Sequence, residues 1–263
     1  MLFWSNLVSF AALTSVVTAA PAAGKRAKPA AFFLAGDSTT AVQSTGGGGW
    51  GDGFIATTLK EGATGKNYGH NGATTVSFRD GGDWATVIAA AKKATSSYDT
   101  YVTIQFGHND QKPAKNITMA QLTSNLVKFV KEVRAAGATP ILVTSLSRRR
   151  FSNGKINENL ADVTAATKEA ASKSGAKIID LNAASTKYLN AIGEANSATY
   201  NLNPTDFTHL NTQGSIVFGN LVAGLIDEAL PNLKKYVVPV PEIAAALKDG
   251  KYYFPANCTG DFC

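Results

Sequence analysis

Three histidines stand in this chain, and each sits among residues that could give an imidazole chemical work. His70 and His108 each follow a glycine, in Gly69-His70-Asn71-Gly72 and Gly107-His108-Asn109-Asp110, whereas His209 closes Asp206-Phe207-Thr208-His209. A carboxylate three positions before an imidazole falls within hydrogen-bond reach in a tight turn, and an imidazole oriented in this way can take a proton from a hydroxyl. Gly36-Asp37-Ser38 supplies a hydroxyl early in the chain. The order Ser, Asp, His is one known arrangement of a hydrolytic triad, and that chemistry also needs donors aimed at the oxyanion formed when serine attacks a carbonyl. Taken singly, Gly-Asp-Ser is an ordinary turn and Asp-x-x-His is only suggestive, so the elements that carry these residues must decide.

Those elements read as an alternation of short apolar runs and longer amphipathic ones. Strands are expected at 31–35, 101–106, 140–144 and 177–181, with a weaker one near 66–68. Helical spacing of apolar residues marks 84–94, 119–136, 157–174 and 212–229, with a short apolar helix at 54–59 and a terminal one at 241–248. Gly137 and Gly175 fall where helix C-caps belong, and Pro231 ends the last long helix. The pattern predicts an α/β fold, a three-layer α/β/α sandwich around a central, mostly parallel five-stranded sheet. In such sheets ligands bind at the carboxyl ends of the strands, near a switch in strand order. The loops there hold Ser38, Gly72, Asn109 and the run Arg148-Arg149-Arg150.

With Gly36-Asp37-Ser38, Gly72, Asn109 and the Asp206 and His209 pair standing in that order, the sequence resembles the SGNH, or GDSL-like, hydrolases. Within that superfamily it is most similar to the rhamnogalacturonan acetylesterases, from about residue 31 to 230. The strings that carry the similarity are Ala35-Gly36-Asp37-Ser38-Thr39, Phe106-Gly107-His108-Asn109-Asp110 and Asp206-Phe207-Thr208-His209-Leu210. The resemblance implies a flavodoxin-like SGNH fold, Ser38 as nucleophile, His209 as base and Asp206 as its orienting partner. It implies oxyanion donors at the Ser38 N–H, the Gly72 N–H and the Asn109 side-chain amide. It further implies a carboxylic ester hydrolase that removes acetyl groups from rhamnogalacturonan through an acyl-enzyme. Relatives act on xylan and lipids, so acetylxylan or a lipid ester is the alternative substrate. A non-catalytic carbohydrate-binding protein on the same scaffold is the alternative of another class. A glycosidase would need a carboxylate pair that these loops do not offer. The stretch 111–118 is shorter than in some members, and the tail beyond Pro231 matches little.

Guanidinium groups pair bidentately with carboxylates, which makes Arg148, Arg149 and Arg150 candidate readers of a galacturonate backbone. Asp37 is expected to hydrogen-bond within its own loop, His108 to brace the oxyanion loop, and His70 to be a satisfied loop histidine. No set of His, Cys and carboxylates has metal-ligand spacing, so neither metal nor cofactor is expected. The glycines from Gly46 to Gly49 lack the lysine of a phosphate-binding loop and read as a mobile loop, with Trp50 in the core.

Composition places these residues in one exported globular domain. The 263 residues are 44% hydrophobic and 17% charged, and no linker-like segment divides the interior. Residues 1–20 carry no charged side chain and read as a signal peptide. Residues 21–30, with the dibasic Lys25-Arg26, read as a short leader, leaving a domain over 31–263. Sequons at Asn116 and Asn257 and a bridge between Cys258 and Cys263 suit an oxidising compartment, so the protein is expected to be secreted and extracellular. The net charge of +6 drops by two, to +4, if Lys25 and Arg26 leave with the leader. An acetylated acidic polysaccharide fits that balance. No nucleic-acid motif accompanies it, no other window is long and apolar enough for a membrane, and a monomer is expected.

Overall fold

A computed structural model describes residues 1–4 and 28–255. Most of the expected signal peptide and leader, the sequon at Asn257, and Cys258 and Cys263 lie outside the described residues. In chain order the elements are β1 (Ala30–Gly36), α1 (Gly51–Thr58), β2 (Thr64–Asn67), α2 (Thr75–Asp80) and α3 (Asp83–Ala94). They continue with β3 (Asp99–Gln105), α4 (Met119–Ala135), β4 (Thr139–Val143), β5 (Phe151–Ser152), β6 (Lys155–Ile156) and α5 (Ala161–Ser174). The last are β7 (Lys177–Ile179), α6 (Leu181–Ala198), α7 (Thr212–Ala229) and α8 (Pro241–Asp249).

Side chains alternate across an extended strand, and the central strands are apolar on both sides, so each must be covered twice. Phe32 and Leu34 of β1, with Ile141 and Val143 of β4, enter a core shared with Phe54 of α1, Leu189 of α6 and Phe218 of α7. Their neighbours Ala35, Ile104 and Leu142 enter a second core with Trp84 of α3, Phe129 of α4 and Val163 of α5. Each fully buried Phe or Leu adds on the order of 1.5–3 kcal/mol of transfer free energy. The outcome is the three-layer sandwich, with helices on both sides of a five-stranded sheet of order β2-β1-β3-β4-β7. Every pairing in that sheet is parallel. The chain passes from β1 outward to β2, then returns to β3 on the other side of β1. This reversal sets the switch point between β1 and β3, whose following loops carry Ser38 and Asn109.

Several boundaries differ from the sequence expectation for local reasons. The last strand stops at Ile179 because Asp180 caps α6, its carboxylate accepting from the Ala183 N–H at 3.2 Å. Helix α6 itself was not expected; its buried face of Leu181, Ser185, Tyr188, Leu189 and Ile192 is interrupted by a polar residue, and Gly193 breaks it at φ +80°. Helix α2 opens on a capping box of Thr74 and Ser77, each side chain accepting from the other's backbone N–H at 3.0 and 2.9 Å, without the usual Glu or Gln. The expected helix over 157–174 begins only at Ala161, because the β5–β6 hairpin holds the chain extended through Ile156 and the Asn157 N–H continues its ladder onto the Arg150 carbonyl at 2.8 Å.

The tail beyond Pro231 clasps the fold. Val238 N–H donates to the Thr58 carbonyl at 2.8 Å, Val240 N–H donates to Asn220 Oδ1 at 2.7 Å, and the Tyr236 hydroxyl donates to the Lys28 carbonyl at 3.0 Å.

Candidate active site

Strand β1 ends in a tight turn, where the Asp37 carbonyl accepts from the Thr40 and Ala41 N–H groups at 3.0 and 3.1 Å. Asp37 Oδ1 accepts from the Thr39 N–H at 2.9 Å and the Thr39 hydroxyl at 2.7 Å, so this carboxylate does serve its own loop. The Thr39 hydroxyl in turn accepts from Gln105, whose Oε1 accepts from Trp50 Nε1 at 2.7 Å. Trp50 is fully buried, as core. The glycine run before it, expected as a mobile loop, is packed against neighbouring residues from Gly47 onward. Gly47 to Gly49 are buried, Gly49 N–H donates to the Ala41 carbonyl at 2.9 Å, and a Cβ on Gly49 would lie 2.0 Å from the Thr39 carbonyl. The absence of side chains lets this segment press against the Ser38 turn and, through the Gly48 carbonyl, accept from Leu210 N–H at 2.8 Å beside His209.

His209 meets Ser38 across this contact, with Nε2 2.8 Å from Ser38 Oγ and Nδ1 2.7 Å from Asp206 Oδ2. The second Asp206 oxygen accepts from the Thr208 and His209 N–H groups, each at 2.9 Å. Partial burial works to raise the Asp206 pKa, but those backbone and ring donors outweigh it and hold the carboxyl below its usual range. An ionised Asp206 fixes the ring with its proton on Nδ1 and its lone pair on Nε2 facing the serine hydroxyl.

The residues expected to be oxyanion donors, Gly72 and Asn109, follow two further strands, β2 and β3. Gly72 lies in the loop after β2 at φ +78°, a conformation that favours glycine. Among the described residues, neither the Gly72 nor the Ser38 N–H is used in a hydrogen bond. Asn109, after β3, is 4% exposed and donates through Nδ2 to the Ala73 carbonyl at 3.0 Å, leaving its second N–H unspent. Asp110 anchors this loop to α2, its Oδ1 accepting from the Thr75 N–H at 2.9 Å and hydroxyl at 2.6 Å. Lys112, which the sequence did not single out, donates to Asn109 Oδ1 at 2.7 Å.

Beneath the turn, His108 Nδ1 faces Asp37 Oδ2 at 3.7 Å, and among the described residues neither atom has a hydrogen-bond partner. Burial pushes Asp37 up to about 6 and His108 well down, so both are driven toward their neutral forms. His70 is elsewhere, paired with Asp83 at 2.7 Å on the surface.

The three arginines separate. Arg149 is 1% exposed and is not free to meet a ligand: alternation along the segment turns it inward, where it donates to the His209 carbonyl and to Asn201 Oδ1, both at 2.6 Å. Its own N–H donates to the Phe207 carbonyl at 2.8 Å, so it props the Asp206–His209 loop. Burial pulls its guanidinium down to about 9. Arg148 and Arg150 instead line an open cavity of about 430 Å³ with Asn159, Asn203, Asp206 and Phe207. Arg148 donates to Asn159 Oδ1 at 2.9 Å, and the Arg150 guanidinium lies 5.3 Å from the Phe207 ring centre.

A parallel five-stranded sheet with a serine hydroxyl, an imidazole and a carboxylate hydrogen-bonded in sequence beside its switch point is the arrangement of an SGNH esterase. The chain belongs to the GDSL-like lipase/acylhydrolase family, whose model matches residues 34–215, and is a carboxylic ester hydrolase. It is 34% identical over 227 residues to the rhamnogalacturonan acetylesterase RhgT of Bacillus subtilis, spanning 80% of this chain and 95% of that one. Among solved structures, a Bacillus subtilis protein, YxiM, matches 77% of this chain at TM-score 0.67 and 22% identity, and the match spans 57% of YxiM. An acetyl-xylooligosaccharide esterase from Geobacillus stearothermophilus, in a variant form, matches 76% of this chain and 95% of its own at TM-score 0.55 and 18% identity. These structural likenesses are of fold.

Proposed function

We propose that this esterase is a secreted carbohydrate esterase that removes acetyl groups from rhamnogalacturonan by a Ser-His-Asp acyl-enzyme mechanism. The observation that carries the reading is His209 bridging Ser38 and Asp206 at 2.8 and 2.7 Å. His209 Nε2 takes the Ser38 proton as Oγ forms a bond to the acetyl carbonyl carbon. The Ser38 and Gly72 N–H groups and the Asn109 amide receive the oxyanion. The bond to the sugar oxygen then breaks, and that oxygen leaves with the proton from His209. Water, deprotonated by the same ring, attacks the acyl carbon and frees acetate and Ser38.

The identity to a rhamnogalacturonan acetylesterase supports the pectin substrate, as do Arg148 and Arg150 beside Asp206. Both oxygens of Asp206 are already occupied, so the cavity's free charge is cationic and suits galacturonate. Export is supported by the uncharged residues 1–20. The test is acetate release measured side by side on acetylated rhamnogalacturonan, acetylated xylan and 4-nitrophenyl acetate. The reading expects the highest kcat/KM on rhamnogalacturonan; an equal or higher value on xylan would remove pectin as the substrate.

A further inference from the structure

A side-chain amide presents an oxygen and a nitrogen at nearly equivalent positions, so an oxyanion donor built from asparagine works only if something fixes which atom faces the reacting carbonyl. Two contacts do this for Asn109. Lys112 Nζ, which can only donate, lies 2.7 Å from Oδ1, and the Ala73 carbonyl, which can only accept, lies 3.0 Å from Nδ2. Rotating the amide by half a turn would set its NH2 against the ammonium and its oxygen against a carbonyl oxygen. The turn that delivers the lysine is itself fixed, since the Lys112 N–H donates to the Asn109 carbonyl at 3.1 Å and Pro113 follows. A cation on the amide oxygen also draws electron density away from the nitrogen, strengthening its N–H as negative charge gathers on the substrate oxygen.

We propose that Lys112 is a positioning residue for the oxyanion donor, holding the Asn109 amide in its donating orientation and polarising it. The proposal rests on the reading of Asn109 as an oxyanion donor. Lys112 makes and breaks no bond and acts through Asn109. An exposed lysine beside Asn109 has another use, the attraction of an acidic polymer, and a neutral substrate separates the two.

The experiment is a double-mutant cycle on 4-nitrophenyl acetate, comparing Lys112→Met, Lys112→Arg, Asn109→Ala and the Asn109→Ala/Lys112→Met pair, with thermal unfolding of each. Lys112→Met should lower kcat by about tenfold with KM within twofold, the size expected when one charge-assisted hydrogen bond is removed. Lys112→Arg should restore most of the rate, and Lys112→Met should add nothing in the Asn109→Ala background. Unchanged kcat in Lys112→Met, or the same tenfold loss with Asn109 already removed, would overturn the proposal. An unfolding midpoint lowered in Lys112→Met along with kcat, without rescue by arginine, would also overturn it, as a purely structural role. A wild-type rate in Asn109→Ala alone would instead overturn the oxyanion reading beneath it.

Discussion

His209 Nε2 lies 2.8 Å from Ser38 Oγ, although 171 positions separate the two residues in the chain. Two backbone contacts bring them there: the Leu210 N–H on the Gly48 carbonyl, and the Gly49 N–H on the Ala41 carbonyl, at 2.8 and 2.9 Å. The contact therefore depends on two loops pressed together over the carboxyl end of β1, and on a third group that sets the ring's tautomer.

That third group is Asp206. Replacing it by asparagine keeps an oxygen for the backbone donors but no longer holds the imidazole with its proton on Nδ1. Asp206→Asn should fold normally and lose roughly three to four orders of magnitude in kcat. Steady-state kinetics on 4-nitrophenyl acetate checks this, and a loss of less than tenfold would remove Asp206 from the triad.

Arg149 and Arg150 are neighbours with opposite expectations. Arg149→Met strips the His209 carbonyl and Asn201 of buried charged donors and should cost about 2–4 kcal/mol in urea unfolding. Arg150→Ala removes an exposed cation beside the Phe207 ring and should leave the unfolding midpoint in place. Its effect belongs on the acidic polymer, where KM at low salt should rise by about three- to thirtyfold and lose much of its salt dependence. Identical KM values for the two enzymes at low salt would end the galacturonate reading of this cavity.

Asp37 gives the stability a pH dependence of definite sign. Its folded-state value of about 6 lies above the roughly 3.9 of an unfolded aspartate, so the native chain holds an extra proton between those values. The stability this contributes is complete below about pH 4 and is lost as pH rises through 6, an amount on the order of 2–3 kcal/mol. Asp37→Asn does not titrate. The stability of the wild type minus that of the variant, from urea unfolding, should therefore fall between pH 4 and pH 7; a constant difference would mean that Asp37 ionises normally.

The sequence carried the layers of this fold because the physics there is local. Runs such as Ala31 to Ala35 are apolar on both faces, and only a doubly covered strand satisfies that. The Asp206 and His209 pair was legible for the same reason, three residues of separation being enough to fix a turn. What lay beyond reach depended on contacts between distant segments. Arg148, Arg149 and Arg150 look alike as residue types, and only the packing of the 201–209 loop against them decides that the middle one is buried. The glycines before Trp50 looked slack because glycine is permissive, while their use is the close approach of Gly49 to Thr39. Helix α6 escaped notice because its buried face mixes Ser185 with Leu and Tyr, and the serine hydroxyl is satisfied by the Asn182 carbonyl at 3.2 Å.

The most direct test of the account is peptide mass spectrometry of the enzyme after reaction with a serine-directed aryl phosphonate, run beside the Ser38→Ala variant. A single adduct on Ser38, appearing in step with loss of acetate release and absent from an inactive Ser38→Ala, is the result expected. An adduct on any other residue, or a Ser38→Ala enzyme that still releases acetate at the wild-type rate, would contradict it.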